Sequence, residues 1–171
     1  MRIEEQVEIR ARPARVWTLV SNPGRYGSLE AGLTAEPDED TPRSELHARY
    51  RAMMSVGPIP VGGDVEIVEF VPRREFAWTS LTGIDQRLRL RVRDLGDGRT
   101  RLTLRFGYSS PGPLGFLADI VSYGEVRDIL RRLIAAIKAE AERPPRKRAR
   151  AGRRAKGPGP SGPRARSSKN A

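Results

Sequence analysis

The sequence predicts an α+β domain: a curved antiparallel sheet of about seven strands wrapped around one long C-terminal helix, with one or two short helices after the first strand. Three observations lead there. Short segments between Arg2 and Tyr108 alternate apolar and polar residues, the pattern of half-buried strands. The strongest turn, Asp94-Leu95-Gly96-Asp97-Gly98, places Asp-Gly between two alternating segments, as a hairpin requires. Beyond Ser109-Ser110-Pro111-Gly112-Pro113 the apolar residues switch to helical spacing. A sheet with one apolar face needs a cover, and a helix with one apolar stripe supplies it.

Each element follows in order. Ile3, Val7 and Ile9 share one parity of a first strand over residues 2–10, with Arg2, Glu4, Gln6 and Glu8 on the other. Glu5 interrupts the apolar parity. Residues 13–20 read as a short helix, since Pro13 suits a first turn, and Asn22-Pro23-Gly24 ends it. Residues 25–29 form a second short helical turn. Residues 33–45 are rich in acids and proline and read as a weak edge strand followed by a turn. From Glu45 to Val56, Leu46, Ala48, Tyr50, Ala52, Met54 and Val56 share one face, with His47, Arg49, Arg51 and Ser55 opposite. Residues 57–63 read as a loop because of their glycines and prolines. Strands near 64–71, 74–82 and 85–95 follow. The last hairpin carries Leu88, Leu90, Val92, Leu102, Leu104, Phe106 and Tyr108 on one side and an arginine stripe on the other. Residues 114–142 form the long helix, with Gly124 as a bend or a point of close packing, and Pro144-Pro145 stops it.

The chain has 171 residues and a formal charge of +11. That charge is not spread evenly. Eleven basic residues and no acid lie from Arg143 onward; taking eleven from 32 leaves 21 basic against 21 acidic residues in 1–142. The chain therefore divides into a neutral folded domain, 1–142, and a basic tail, 143–171, too poor in apolar residues to fold. No cysteine is present, which excludes disulfides and thiolate chemistry and fits a reducing cytoplasm. No apolar run reaches the ~20 residues of a membrane span, and the N-terminus lacks a signal-peptide pattern, so a soluble cytoplasmic protein is expected. Only four of the 32 basic residues are lysine, the codon bias of a GC-rich genome such as an actinobacterial one.

Two segments carry a resemblance: Val7-Glu8-Ile9-Arg10-Ala11-Arg12-Pro13-Ala14-Arg15-Val16-Trp17 and Val68-Glu69-Phe70-Val71-Pro72-Arg73-Arg74-Glu75-Phe76-Ala77-Trp78. With Gly98–Leu104 and the closing helix, they resemble the polyketide cyclase/dehydrase and lipid-transport family of the START-like, birch-pollen-allergen-like (SRPBCC) superfamily. The resemblance spans nearly all of residues 1–142. It implies a helix-grip fold that commonly keeps a cavity between sheet and helix. Such families include lipid carriers, ligand sensors and aromatic-ring cyclases.

Parity and resemblance together give a candidate lining. Tyr50, Met54, Trp78, Leu90, Phe106 and Tyr108 point toward the helix, Phe116 and Ile120 face them, and Trp17 and Tyr26 stand near the entrance. Core packing is the alternative for each. The expected function is non-enzymatic binding or carriage of a lipid, isoprenoid or polyketide-like molecule. The alternatives are a polyketide cyclase or dehydratase, or an interaction module acting through the tail. No catalytic residue is assigned; Glu5, Glu69 and Tyr108 are the enzyme-like candidates. A strand-end position, or a bulge that turns the side chain outward, is the structural alternative for the two acids. His47, the only histidine, shares the parity of Arg49 and Arg51 and is expected at the surface. With one histidine and no clustered carboxylates, no metal or cofactor is expected. In the resembled topology the first strand lies beside the last, so Glu4 and Glu8 would pair with Arg105 and Arg101. Arg146, Lys147, Arg148, Arg150, Arg153 and Arg154 of the tail are candidates for phosphate contact, with non-specific nucleic acid or an anionic membrane surface as partner. A monomer or homodimer is expected.

Overall fold

The computed structural model describes residues 1–41, 44–109 and 115–144, with side chains throughout these ranges except at residues 59 and 115–122. The chain runs β1 (Arg2–Ile9), α1 (Pro13–Val20), a 3-10 turn (Pro23–Arg25), α2 (Tyr26–Leu29), β2 (Leu33–Pro37), β3 (Arg49–Val56), β4 (Ile59–Val71), β5 (Glu75–Ser80), β6 (Asp85–Gly96), β7 (Arg99–Ser109) and α3 (Gly115–Glu142). All seven strands join one antiparallel sheet, ordered β1-β7-β6-β5-β4-β3-β2. It is a helix-grip fold: the sheet curls into a half-barrel against α3.

Alternation dictates which side chains enter. Along β6, Gln86, Leu88, Leu90 and Val92 are buried while Arg87, Arg89, Arg91 and Arg93 are exposed. Along β7, Leu102, Leu104 and Phe106 are buried likewise. α3 meets this face with Val126, Ile129, Leu130, Leu133, Ile134 and Ile137. Each such aliphatic side chain contributes roughly 1.5–3 kcal/mol when fully buried. β1 pairs with β7 as expected: Glu4 lies opposite Arg105 and Glu8 opposite Arg101. Arg105 Nε donates to Glu4 at 2.9 Å and Arg101 Nη2 to Glu8 at 2.7 Å.

Three boundaries differ from the sequence reading. β3 begins at Arg49 instead of Glu45, because His47 takes a left-handed φ of 70° and breaks the alternation; Leu46 is consequently exposed. The expected edge strand ends at Pro37. The expected loop over 57–63 is mostly strand: β4 starts at Ile59, leaving Gly57-Pro58 as the turn. Its glycines belong to the strand because backbones crowd there. A Cβ on Gly62 would lie 2.0 Å from the Ala52 carbonyl oxygen, and one on Gly63 2.1 Å from that of Thr82. Gly124, in contrast, has nothing within 4 Å of a Cβ position, so close packing does not explain it, and α3 runs unbroken through it.

The two glycines therefore predict opposite responses. Gly62→Ala pushes β3 and β4 apart and should cost about 3 kcal/mol in urea unfolding. Gly124→Ala removes a flexible helical position at no steric cost and should stabilise by about 0.5–1 kcal/mol.

Candidate ligand site

α3 crosses the inner face of the sheet from one end to the other, and the two ends are built differently. Where α3 finishes, polar contacts tie it down. The Arg10 N–H donates to Glu142 Oε1 at 2.8 Å, and Arg15 Nη2 to the Glu140 carbonyl at 3.3 Å. Thr100 Oγ1, buried, donates to the Ala11 carbonyl at 2.6 Å. Midway, Glu5 of β1 accepts Arg127 Nε at 2.8 Å and Arg131 Nε at 2.9 Å, both from α3. Burial acts to raise the Glu5 pKa, but the hydrogen bonds and charges of the two arginines outweigh it and hold it low.

At the other end the described residues are less completely buried. There the β3–β4 turn comes up beside α3, with a Gly57 Cβ position 3.8 Å from Glu125 Oε2. Val56, Val61 and Tyr123 are only partly buried at this end, against a fully buried core further in. Gln86 at the start of β6 pairs with Tyr108 at the end of β7. Gln86 is 2% exposed, and its Nε2 has no hydrogen-bond partner among the described residues. The same is true of Trp78 Nε1, wholly buried on β5. Trp78 pairs with Leu88, so Gln86, two residues away on the same face, is its diagonal neighbour. Two donors thus lie unsatisfied on an otherwise apolar surface, at about 1–3 kcal/mol each.

The structure gathers most of the expected lining into one cluster. Tyr50, Met54, Trp78, Leu90, Phe106 and Tyr108 are all buried on the inner face, none more than 7% exposed. Phe116 and Ile120 lie on α3, but their side chains fall outside the described residues, as do tail residues Arg146, Lys147, Arg148, Arg150, Arg153 and Arg154. Trp17 and Tyr26 do not stand at an entrance. Trp17 stacks edge-on against Phe70 with centroids 5.4 Å apart. Tyr26 is fully buried against Trp78 and donates its hydroxyl to the Val20 carbonyl at 2.5 Å. Burial raises its pKa, which keeps it a neutral donor. Both rings are anchors of the α1–α2 layer.

Both candidate acids are engaged by arginines. Glu5 is the inward carboxylate, and its two arginines occupy it. Glu69 is turned outward by a bulge between Ile67 and Glu69, where Arg89 Nη2 meets it at 2.8 Å. Its hydrogen bond with Glu75 raises its pKa, while that of Glu75 is lowered. His47 is exposed and bonds Glu66 at 3.0 Å. Gln86 is not among the expected lining, yet the sequence carries its signal: it is the one amide on the apolar parity of β6, as Glu5 is the one acid on that of β1.

Residues 1–142 match the family described as polyketide cyclase/dehydrase and lipid transport, and the chain belongs to it. No curated protein sequence matches significantly. Among solved structures, a protein from Thermus thermophilus superposes with a TM-score of 0.70 at 16% identity, over 82% of this chain and 97% of that one. The Zhui aromatase/cyclase of a Streptomyces species gives 0.65 at 19% identity, over 89% and 98%. A START superfamily protein from Mycobacterium smegmatis gives 0.61 at 17%, over 82% and 97%. At these identities the shared property is the fold.

The Glu5 clamp makes a pH prediction. A carboxylate with a lowered folded pKa stabilises above its unfolded value, near 4.5, and that contribution is lost as pH falls through the folded value. Glu5→Gln should cost about 1 kcal/mol at neutral pH, modest because both arginines are partly solvated. The variant should also lose less stability than the parent between neutral pH and the acid limb of a denaturation series.

Proposed function

We propose that the protein binds a small hydrophobic molecule (a lipid, isoprenoid or polyketide-like compound) against the inner face of the sheet beneath α3, and holds it without chemical change. The unpaired Gln86 amide carries this reading. A face meant only to pack would continue with leucine at 86, as it does at Leu88 and Leu90. An amide beside Tyr108 and an indole N–H nearby instead supply the few polar groups that orient a ligand in an apolar site. Family membership supports the same substrate class.

A second reading, a cyclase or dehydratase folding a polyketide-like chain for reaction, draws on the fold shared with the Streptomyces aromatase/cyclase. It is the weaker one, because the inward carboxylate Glu5 is already held by Arg127 and Arg131. Neither reading calls on a metal or cofactor. We place the protein in a bacterial cytoplasm, as a monomer or homodimer. The lack of cysteine supports that compartment, and among the described residues no helix is long and apolar enough to cross a membrane.

Native mass spectrometry of the full chain from a related host, with organic extraction, tests the proposal. A reproducible extra mass released by solvent is expected; bare protein from repeated preparations would overturn carriage. Gln86→Leu sharpens the test. It removes a buried unpaired donor and should stabilise the ligand-free protein by about 1 kcal/mol, while lowering the fraction that retains the extra mass.

A further inference from the structure

The end of the sheet where α3 finishes is basic and incompletely neutralised. A depression of about 1050 Å³ lies between the start of α1, the β4–β5 turn and the β6–β7 turn, and Arg12, Arg73, Arg74, Arg91 and Arg93 line it. Three carboxylates share it, Glu75, Asp94 and Asp97. Glu75 is taken by Arg91 at 2.9 Å, and Asp94 accepts the Gly96 amide. Arg12, Arg73, Arg74 and Arg93 have no ion-pair partner among the described residues.

A second observation points to an anion. A smaller depression of about 180 Å³ separates the arginine rows of β6 and β7 on the outer face. There Arg93 lies directly opposite Arg101, and Arg89 opposite Arg105, an arrangement of like charges that repels. Glu4, Glu8 and Glu69 neutralise Arg105, Arg101 and Arg89. Arg93 is left over, and Arg101 Nε is buried with no acceptor although Nη2 holds Glu8. An anion at this depression would meet the exposed, unpaired guanidinium of Arg93 and relieve its repulsion with Arg101.

The chain also departs here. Glu142 bonds the Arg10 amide, and Arg15 Nη2 reaches the carbonyls of Glu140 and Arg143. The acid-free stretch with eleven basic residues therefore begins beside the arginine-lined depression.

We infer that this pole binds nucleic acid through its phosphodiester backbone. Two adjoining depressions lined by guanidinium groups suit a repeating anion, and the planar guanidinium fork takes phosphate oxygens in pairs. A bilayer fits less well. The large depression is concave, its apolar residues are small or buried (Pro13, Ala14, Val92), and the tail has no aliphatic side chain beyond alanine and proline to insert. No aromatic residue lines either depression, so contact is to phosphates, without base stacking or sequence choice.

Fluorescence anisotropy with full-length protein and labelled random-sequence DNA, across a KCl series, tests it. The variant Arg73→Gly/Arg74→Ala/Arg93→Ala should lower the slope of log affinity against log salt by about two to three and weaken binding about tenfold or more. Arg25→Ala/Arg49→Ala/Arg51→Ala removes the same charge elsewhere and should leave both nearly unchanged. Equal losses in the two variants would mean net charge alone, and no loss in either would mean the tail alone; each overturns the inference. So does a site-dependent loss seen with phosphatidylglycerol vesicles and not with DNA. Should the first variant fail to fold, Arg93→Ala alone, on an exposed strand face with no ion pair, should still lower the slope by about one.

Discussion

One helix has to cover the apolar face of seven strands. A flat sheet of that width would leave its outer strands wet on both sides, so burial requires the sheet to curl around α3. The chain achieves this by pairing its first strand with its last: β1 docks on β7, and α3 follows β7 directly. Glu5 then reaches from β1 to Arg127 and Arg131 on the helix, so that strand order, curvature and helix position are fixed by the same few contacts.

This arrangement leaves the two ends of the grip unequal. At the end of α3 the backbone amide of Arg10, the Arg15 guanidinium and Thr100 close the seam with hydrogen bonds. At the opposite end the same seam is met by half-buried valines and Tyr123, and the buried Gln86 amide and Trp78 indole N–H have no partner among the described residues. One end tied by hydrogen bonds and one with unsatisfied donors would suit the proposed binding of an apolar molecule. The free energy stored in unpaired donors is recovered only when an acceptor arrives.

Much of the architecture was legible because burial is one-sided and strands have a period of two. The outward arginines of β6 and the pairing of Glu4 and Glu8 with Arg105 and Arg101 follow from parity and strand order. Parity fails where the backbone leaves ideal geometry. The positive φ at His47 exposed Leu46, and the bulge before Glu69 reversed its side. Gly62 and Gly63 resembled loop residues because their role, letting strands approach closely, leaves no trace in a single sequence. The site was less legible. Aromatic type says that a side chain is large, not how deep it sits, so the sequence does not separate Trp17 and Tyr26, buried anchors of the α1–α2 layer, from residues at an entrance. Gln86 carried the more useful signal, a polar residue where the pattern demands an apolar one.

Charge follows a similar logic. Residues 1–142 are neutral in sum, yet neutrality of a sum does not make a neutral surface. Cross-strand pairing allots carboxylates to arginines by register: β1 serves β7, while Glu69 and Glu75 serve Arg89 and Arg91 of β6. Arg93 lies beyond the reach of that allotment, and the neighbouring β4–β5 turn adds Arg73 and Arg74 without partners. Unpaired cations therefore collect at one end of the sheet, the end where the tail begins. A basic tail on a neutral body would act as a separate electrostatic arm. Arg12, Arg73, Arg74 and Arg93 instead give the body a basic concavity of its own, close to where the acid-free sequence begins.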